Sequence, residues 1–223
     1  MLLYYITDRS QFPGSESDRR QLLLEKIAEC ARAGVHYIQL REKDLSSREL
    51  TTLARAAMQA IRENSASGTR VLINSRTDVA YAVGTDGVHL PTGDLEPAQV
   101  RAIWERACGK TQPIITTACH SPSEVAQAAA NGASMAIFAP VFEKPGVTPA
   151  APTGLTALRA ACAHPIPVLA LGGVTLQNAA SCLEAGAAGV AAIRLFQEND
   201  ANLVVEAISR LTALSSPSPN PRR

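Results

Sequence analysis

The stretch "VLINSRTDVAYAVGTDGVHL", Val71 to Leu90, decides the fold. "VLIN" is short, apolar and β-branched, the composition of a strand buried on both faces. Asn74 and Ser75 end it, and a helix opens on Arg76 with "TDVAYAVG". "GVHL" then reads as a second apolar strand. Strand, short helix, strand is the unit of a parallel sheet. Ser75 stands where the first of these strands ends, the place where chemistry often begins.

The same alternation extends in both directions. Upstream, "LLYYIT" reads as a strand, "DRRQLLLEKIAECARAG" as a helix closing at Gly34, and "VHYIQL" as the second strand. A helix follows from Ser46 to Asn64, with Ser46 and Glu49 spaced as a capping box. Downstream, Pro97 to Cys108 reads as a helix and "PIITTAC" as the fifth strand. Ser121, Pro122 and Glu124 then supply an N-cap, a first-turn proline and an N3 acid. "MAIFAPVF", "PVLAL" and "GVAAIRLF" complete the strands. "GLTALRAACA", "TLQNAASCLEAG" and Asn202 to Leu214 complete the helices. Eight strand–helix units predict a single-domain, closed (β/α)8 barrel, the TIM-barrel form of α/β protein, over residues 1–214. The polar, proline-rich "SSPSPNPRR", residues 215–223, is expected to be a disordered tail. A doubly wound open sheet is the alternative, but no G-x-G-x-x-G follows the first strand.

The 223 residues are 46% hydrophobic, enough to bury a substantial core. Twenty-one basic and 20 acidic residues are spread along the chain, with no basic stripe for nucleic acid or a membrane surface. No apolar run reaches transmembrane length, and "MLLYYITDRS" lacks a signal-type pattern. Five scattered cysteines without a CxxC fit a reduced, cytoplasmic setting. Small-molecule partners are expected, with no nucleic acid and no membrane. A homo-oligomer is compatible with the sequence.

In such a barrel the active site lies at the C-terminal ends of the strands. Strand one offers Thr7 and Asp8 there, and strand two Gln39, Arg41 and Lys43. Arg41 and Lys43 are expected on one face of that strand, suited to an anion. The alternative is that they pair with Asp8, Glu42 or Asp44. Strand three ends at Asn74 and Ser75, and strand four carries His89 with Asp94 just beyond. His120 ends strand five, where a proton carrier or a structural histidine would both fit. Cys119 is expected to pack, because neighbouring strand residues face opposite ways. His89 is open between chemistry and support of the rim; His36 and His164 are read as structural. Gly172-Gly173 leaves free N–H groups at the end of strand seven. With Ile193 and Arg194 on strand eight, it forms an expected phosphate site.

"YIQLREKDLSSREL", "LINSRTDVAYAVGTDGVHLP", "HSPSEVAQAAANGASMAIFAPVF" and "PVLALGGVTLQNAASCLEAGAAGVAAI" together resemble the thiamine phosphate synthase family, which includes the related thiazole tautomerase. The resemblance spans nearly the whole chain except the tail. It implies that Gln39, Arg41, Lys43 and Asn74 meet a pyrimidine pyrophosphate, and that Gly172 and Gly173 serve a thiazole phosphate. It also implies two magnesium carboxylates, at positions 75 and 94. Asp94 supplies one, and Ser75 replaces the other. Mg2+ favours carboxylate oxygens, so the loss of one charge weakens the expected site. Further departures are Ala118, Arg194, and a loop "EKPGVTP" that holds Lys144 and Thr148 out of register.

Three functions follow from the resemblance. The first is a tautomerase-like isomerase that aromatises a thiazole carboxylate phosphate, with His120 as acid and base and no cofactor. The second is a divergent thiamine phosphate synthase using magnesium at Asp94. The third is a non-catalytic protein that binds thiamine precursors.

Overall fold

The computed structural model describes residues 1–108, 112–143 and 152–215. Eight parallel strands close into a barrel in sequence order. They are β1 (Leu2–Ile6), β2 (Tyr37–Leu40), β3 (Arg70–Asn74), β4 (Gly87–Leu90), β5 (Ile114–Cys119), β6 (Met135–Phe138), β7 (Val168–Ala170) and β8 (Gly189–Ala192). β8 pairs with β1 in the register Leu2 to Gly189 and Tyr4 to Ala191, which shuts the sheet and leaves no edge. The single-domain TIM barrel expected from the sequence is the observed fold.

Alternation along the strands divides the apolar residues into two cores. Tyr4, Ile6, Leu72, Met135, Ile137, Leu169 and Ala191 point inward and fill the barrel. Leu3, Tyr5, Ile38, Leu40, Ile73, Val88, Ile115 and Phe138 point outward, under the helices. That two-sided burial is why the strands read as continuous apolar runs.

The helices are α1 (Glu16–Ala33), α2 (Ser47–Asn64), α3 (Thr77–Val83), α4 (Pro97–Cys108), α5 (Pro122–Ala130), α6 (Gly154–Ala161), α7 (Ala179–Glu184), α8 (Arg194–Gln197) and α9 (Ala201–Ser215). Ser46 and Glu49 form the expected capping box of α2. α1 starts two residues before the expected Asp18, because Ser15 caps it and Asp18 returns the bond as the N3 acid. α7 starts at Ala179 rather than Thr175, since Asn178 folds back to take the Thr175 N–H.

Strand ends are also shorter than the sequence suggests. β2 stops at Leu40, so Arg41 and Lys43 lie in the segment beyond it. β8 stops at Ala192, and Arg194 opens the four-residue helix α8 instead of extending the strand. The proline-rich tail after Ser215 and the positions of Lys144 and Thr148 lie outside the described residues. None of the described helices is long and apolar enough to cross a membrane.

Candidate active site

The expected residues converge on the C-terminal mouth of the barrel, where buried groups order them. Beyond β2 the chain alternates cation, anion, cation, anion through Arg41, Glu42, Lys43 and Asp44. Glu42 is buried at the base of this segment. It accepts the Thr7 hydroxyl at 2.5 Å, the Arg9 N–H and an Arg9 guanidinium N–H at 3.0 Å. The same guanidinium binds Asp44 through two N–H groups, at 2.8 and 2.6 Å, and Glu16 at 2.9 Å. Thr7 Oγ1 also accepts the Arg41 N–H at 3.0 Å. Hydrogen bonding to Asp44, Glu16 and Glu42 raises the Arg9 pKa against the opposing effect of its burial. The guanidinium of Arg9 holds the Asp44 carboxyl down at about 2.

Arg9 therefore consumes both acids that flank Lys43. Among the described residues neither the Arg41 nor the Lys43 side chain makes an ion pair or hydrogen bond. The pairing with Asp8, Glu42 or Asp44 that could have neutralised them is absent: Asp8 accepts from Ser10 and Gln11 instead. Sequence reading missed Arg9, whose acidic partners Glu42 and Asp44 lie 33 and 35 residues away.

Lys43, Asn74, Ser75, Arg76 and Pro91 line a cavity of about 320 Å3 at this side of the mouth. Ser75 has φ 66°, a left-handed conformation rare for a residue with a side chain. Its N–H continues the ladder to the His89 carbonyl at 2.8 Å, while Arg76 N–H turns back to Asn74 O at 2.7 Å. The resulting sharp turn aims the Ser75 hydroxyl at Asp94, and Oγ donates to Oδ2 at 2.5 Å. The two positions in question for a metal are thus neighbours in space. Among the described residues no group of three His, Cys, Asp or Glu side chains is arranged to hold a metal. The donor set at Ser75 and Asp94 is one hydroxyl and one carboxylate, both hard oxygens. Each Asp94 oxygen accepts one protein hydrogen bond, from Ser75 or from Leu95 N–H, and keeps a lone pair. Such a pair fits a magnesium ion that draws its other oxygens from water and substrate phosphate.

His120 lies across the mouth, exposed. Glu124, from the first turn of α5, accepts its backbone N–H at 2.8 Å. Its Nδ1 lies 2.6 Å from the Ala139 carbonyl. A carbonyl only accepts, so Nδ1 carries the proton and Nε2 presents its lone pair outward. Cys119 is buried as expected, with its thiol pKa pushed up by that burial. His36 accepts the Leu3 N–H at the opposite end of the barrel, a structural task. His89 sits inside the barrel with Nδ1 2.9 Å from Thr116 Oγ1. Burial, followed by the charge of Arg41, lowers its pKa to about 3.

The remaining expected site is built from backbone. Gly172 and Gly173 have φ 96° and 65°. A Cβ on Gly172 would meet Pro140 Cα at 2.7 Å, and one on Gly173 would meet Glu143 O at 2.4 Å. Both glycines are thus demanded by the segment after β6, which bonds along them through Val141 N–H to Leu171 O and Phe142 N–H to Gly172 O. Among the described residues their own N–H groups have no carbonyl partner. α7 begins later than expected, and Asn178, the residue before it, donates its amide N–H to the Gly173 carbonyl at 2.9 Å. The short helix α8 follows Ile193 directly, and Arg194 at its first position is exposed. A loop after the seventh strand and a short helix after the eighth are the usual ingredients of a barrel phosphate site.

Comparison with known proteins matches residues 3–196 to the family model for thiamine monophosphate synthase. This chain belongs to the thiamine monophosphate synthase family. A Geobacter sulfurreducens member, provisionally named a thiamine-phosphate synthase, is 40% identical over 193 residues, covering 86% of this chain and 84% of that one. The thiamine-phosphate synthase of Roseiflexus castenholzii is 36% identical over 194 residues, covering 86% and 79%. A solved thiamine phosphate pyrophosphorylase from Pyrococcus furiosus superposes with a TM-score of 0.78 at 28% identity, covering 96% of each chain. The chain is accordingly an enzyme of thiamine biosynthesis.

Proposed function

We propose that this protein is a thiamine-phosphate synthase. It would join hydroxymethylpyrimidine pyrophosphate to a thiazole phosphate. In that reaction the C–O bond to pyrophosphate breaks, and the leaving group takes the electron pair. The thiazole nitrogen then supplies its lone pair to the carbon, forming a C–N bond and a thiazolium cation. Pyrophosphate is the second product.

The observation that carries this reading is the pair of unneutralised cations. Arg9 occupies Glu42 and Asp44, so the charges of Arg41 and Lys43, in the segment beyond β2, stay unneutralised and available to an anion. A departing pyrophosphate develops negative charge that such groups stabilise. Gln39 and Asn74, joined by a 2.9 Å hydrogen bond, would receive the pyrimidine. Asp94 and Ser75 would hold magnesium, which when bound offsets pyrophosphate charge. The N–H groups of Gly172 and Gly173, with Ile193 and Arg194 opposite, would hold the thiazole phosphate. The names carried by the similar synthases support the same choice.

One observation favours the tautomerase reading instead: the fixed tautomer of His120, whose free Nε2 suits a base. That isomerisation moves one proton and leaves no pyrophosphate, so it gives Arg41 and Lys43 no task. A single incubation separates the readings. Purified protein receives the pyrimidine pyrophosphate, magnesium, thiazole phosphate and the non-aromatic thiazole carboxylate phosphate, and both tautomers of the carboxylate and thiamine phosphate are followed by chromatography. Thiamine phosphate above background is the expected result. Aromatised thiazole without coupling would select the tautomerase, and binding without turnover the non-catalytic protein.

A further inference from the structure

Inside the barrel a single chain of hydrogen bonds links four other strands to Asn74 on β3. His89 Nδ1 lies 2.9 Å from Thr116 Oγ1, and Thr116 Oγ1 lies 3.2 Å from the Tyr4 hydroxyl. The Tyr4 hydroxyl donates to Gln39 Oε1 at 3.0 Å, and Gln39 Nε2 donates to Asn74 Oδ1 at 2.9 Å. Tyr4 and Thr116 are wholly buried, Gln39 is 1% exposed and His89 7%. Among the described residues these groups have few other partners to turn to, so the direction of each bond constrains the next.

With the Gln39 amide oxygen facing Tyr4 and its nitrogen facing Asn74, counting protons gives the direction of the rest. Tyr4 has one O–H, spent on Gln39, so it accepts from Thr116. Thr116 has one O–H, spent on Tyr4, so it accepts from His89 Nδ1–H. His89 supplies that donor as the tautomer with its proton on Nδ1. At the far end Gln39 Nε2 occupies Asn74 Oδ1, leaving the two Asn74 N–H groups for the cavity that Asn74 lines. A buried chain with one polarity resists reversal, because flipping one amide would leave like groups facing each other.

We infer that Tyr4, Thr116 and His89 are positioning residues that fix the polarity of the Gln39–Asn74 pair. The site thereby presents N–H donors to the ligand and selects a heterocycle by a hydrogen-bond acceptor on its ring edge. The inference rests on the proposed placement of the pyrimidine at Gln39 and Asn74. It assigns the choice of ring to groups that never touch the ring.

Binding tests it without turnover. The full-length protein, Thr116→Val and Thr116→Ser are titrated calorimetrically with two probes, the aminopyrimidine alcohol lacking phosphate and inorganic pyrophosphate. Valine keeps the shape of threonine but ends the relay; serine keeps the hydroxyl. Thr116→Val should weaken the aminopyrimidine roughly tenfold, the scale of one hydrogen bond, and leave pyrophosphate unchanged. Thr116→Ser should bind both probes as the parent does. Equal loss for both probes, unaltered aminopyrimidine binding, or no recovery in Thr116→Ser would each overturn the inference. A parent protein that binds no aminopyrimidine would overturn it as well. Intact aminopyrimidine binding with this pattern, but no thiamine phosphate in the coupling assay, would leave the relay standing and remove the synthase reading.

Discussion

The two halves of the barrel mouth are built differently. From β1 to β4 the mouth consists of side chains held by buried polar contacts: Arg9 on Glu42 and Asp44, Gln39 on Asn74, Ser75 on Asp94. From β7 to β8 it consists of backbone, with two glycines fitted against residues 140–143 and a four-residue helix after Ile193. A pyrophosphate must be gripped and then released as charge develops on it, which calls for fixed, directed cations. A phosphate that stays on its substrate needs only steady N–H donors, which backbone supplies without ordering a side chain. The first half therefore depends on remote residues for its geometry, and the second on the local path of the chain.

The sharpest way to break the first half is to remove its buried cation. Arg9→Met leaves Glu42, whose side chain is 2% exposed, without its ionic partner. Breaking a buried pair from one side costs about 3–5 kcal/mol. Urea unfolding should show that loss, and Arg9→Met combined with Glu42→Gln should recover at least half of it. If the double variant is no more stable than Arg9→Met alone, the cost lies in lost packing and the pair does not organise the rim.

A smaller effect should come from His89. Its ordinary pKa is 6.5 and its folded value is about 3, so the unfolded chain takes up a proton that the fold excludes. Stability is thus fully present above 6.5 and drains as pH falls towards 3, by about 2 kcal/mol between pH 7 and pH 5. His36, also lowered by burial, adds a share of the same sign. The carboxylates with lowered pKa titrate below this window. His89→Asn should flatten most of the slope in urea midpoints measured at the two pH values. An unchanged slope would mean that His89 takes up its proton within the fold.

Much of the barrel was legible because its signals are local. "VLIN" and "GVHL" declare strands by composition, and Ser46 with Glu49 declares a helix start by spacing alone. The errors lie where tertiary contacts set the boundary. Arg194 continues an apolar run, yet the strand ends at Ala192 because its pairing ends there: Ala192 is matched to Tyr5 and nothing follows. Arg41, Lys43, Ser75 and Asp94 were visible as candidates, but not which of them lacked a partner. Arg9 meets acids 33 to 35 residues away, and Tyr4 meets Thr116 across 112 residues. Periodicity carries no trace of such pairs; only barrel closure brings them together.

The smallest expected effect bears on Ser75 itself and on the contrast between a gripping and a cradling half. Ser75→Asp places a second carboxylate beside Asp94 at a turn position, φ 66°, that aspartate tolerates better than most residues. Without metal the two like charges, both partly exposed, should cost about 1 kcal/mol. That is a drop of about 2–4 °C in Tm for a chain of this size. Magnesium bound between them should return the loss, since a ligand of the folded state alone stabilises it by mass action. The parent, with one carboxylate, should need a higher magnesium concentration for any rise in Tm. Thermal melts in EDTA and across a magnesium series would show this without any turnover. A Ser75→Asp protein whose Tm ignores magnesium would place the metal elsewhere. The gripping half would then rest on Arg41 and Lys43 alone, and pyrophosphate release would have to be explained by cations fixed in the protein.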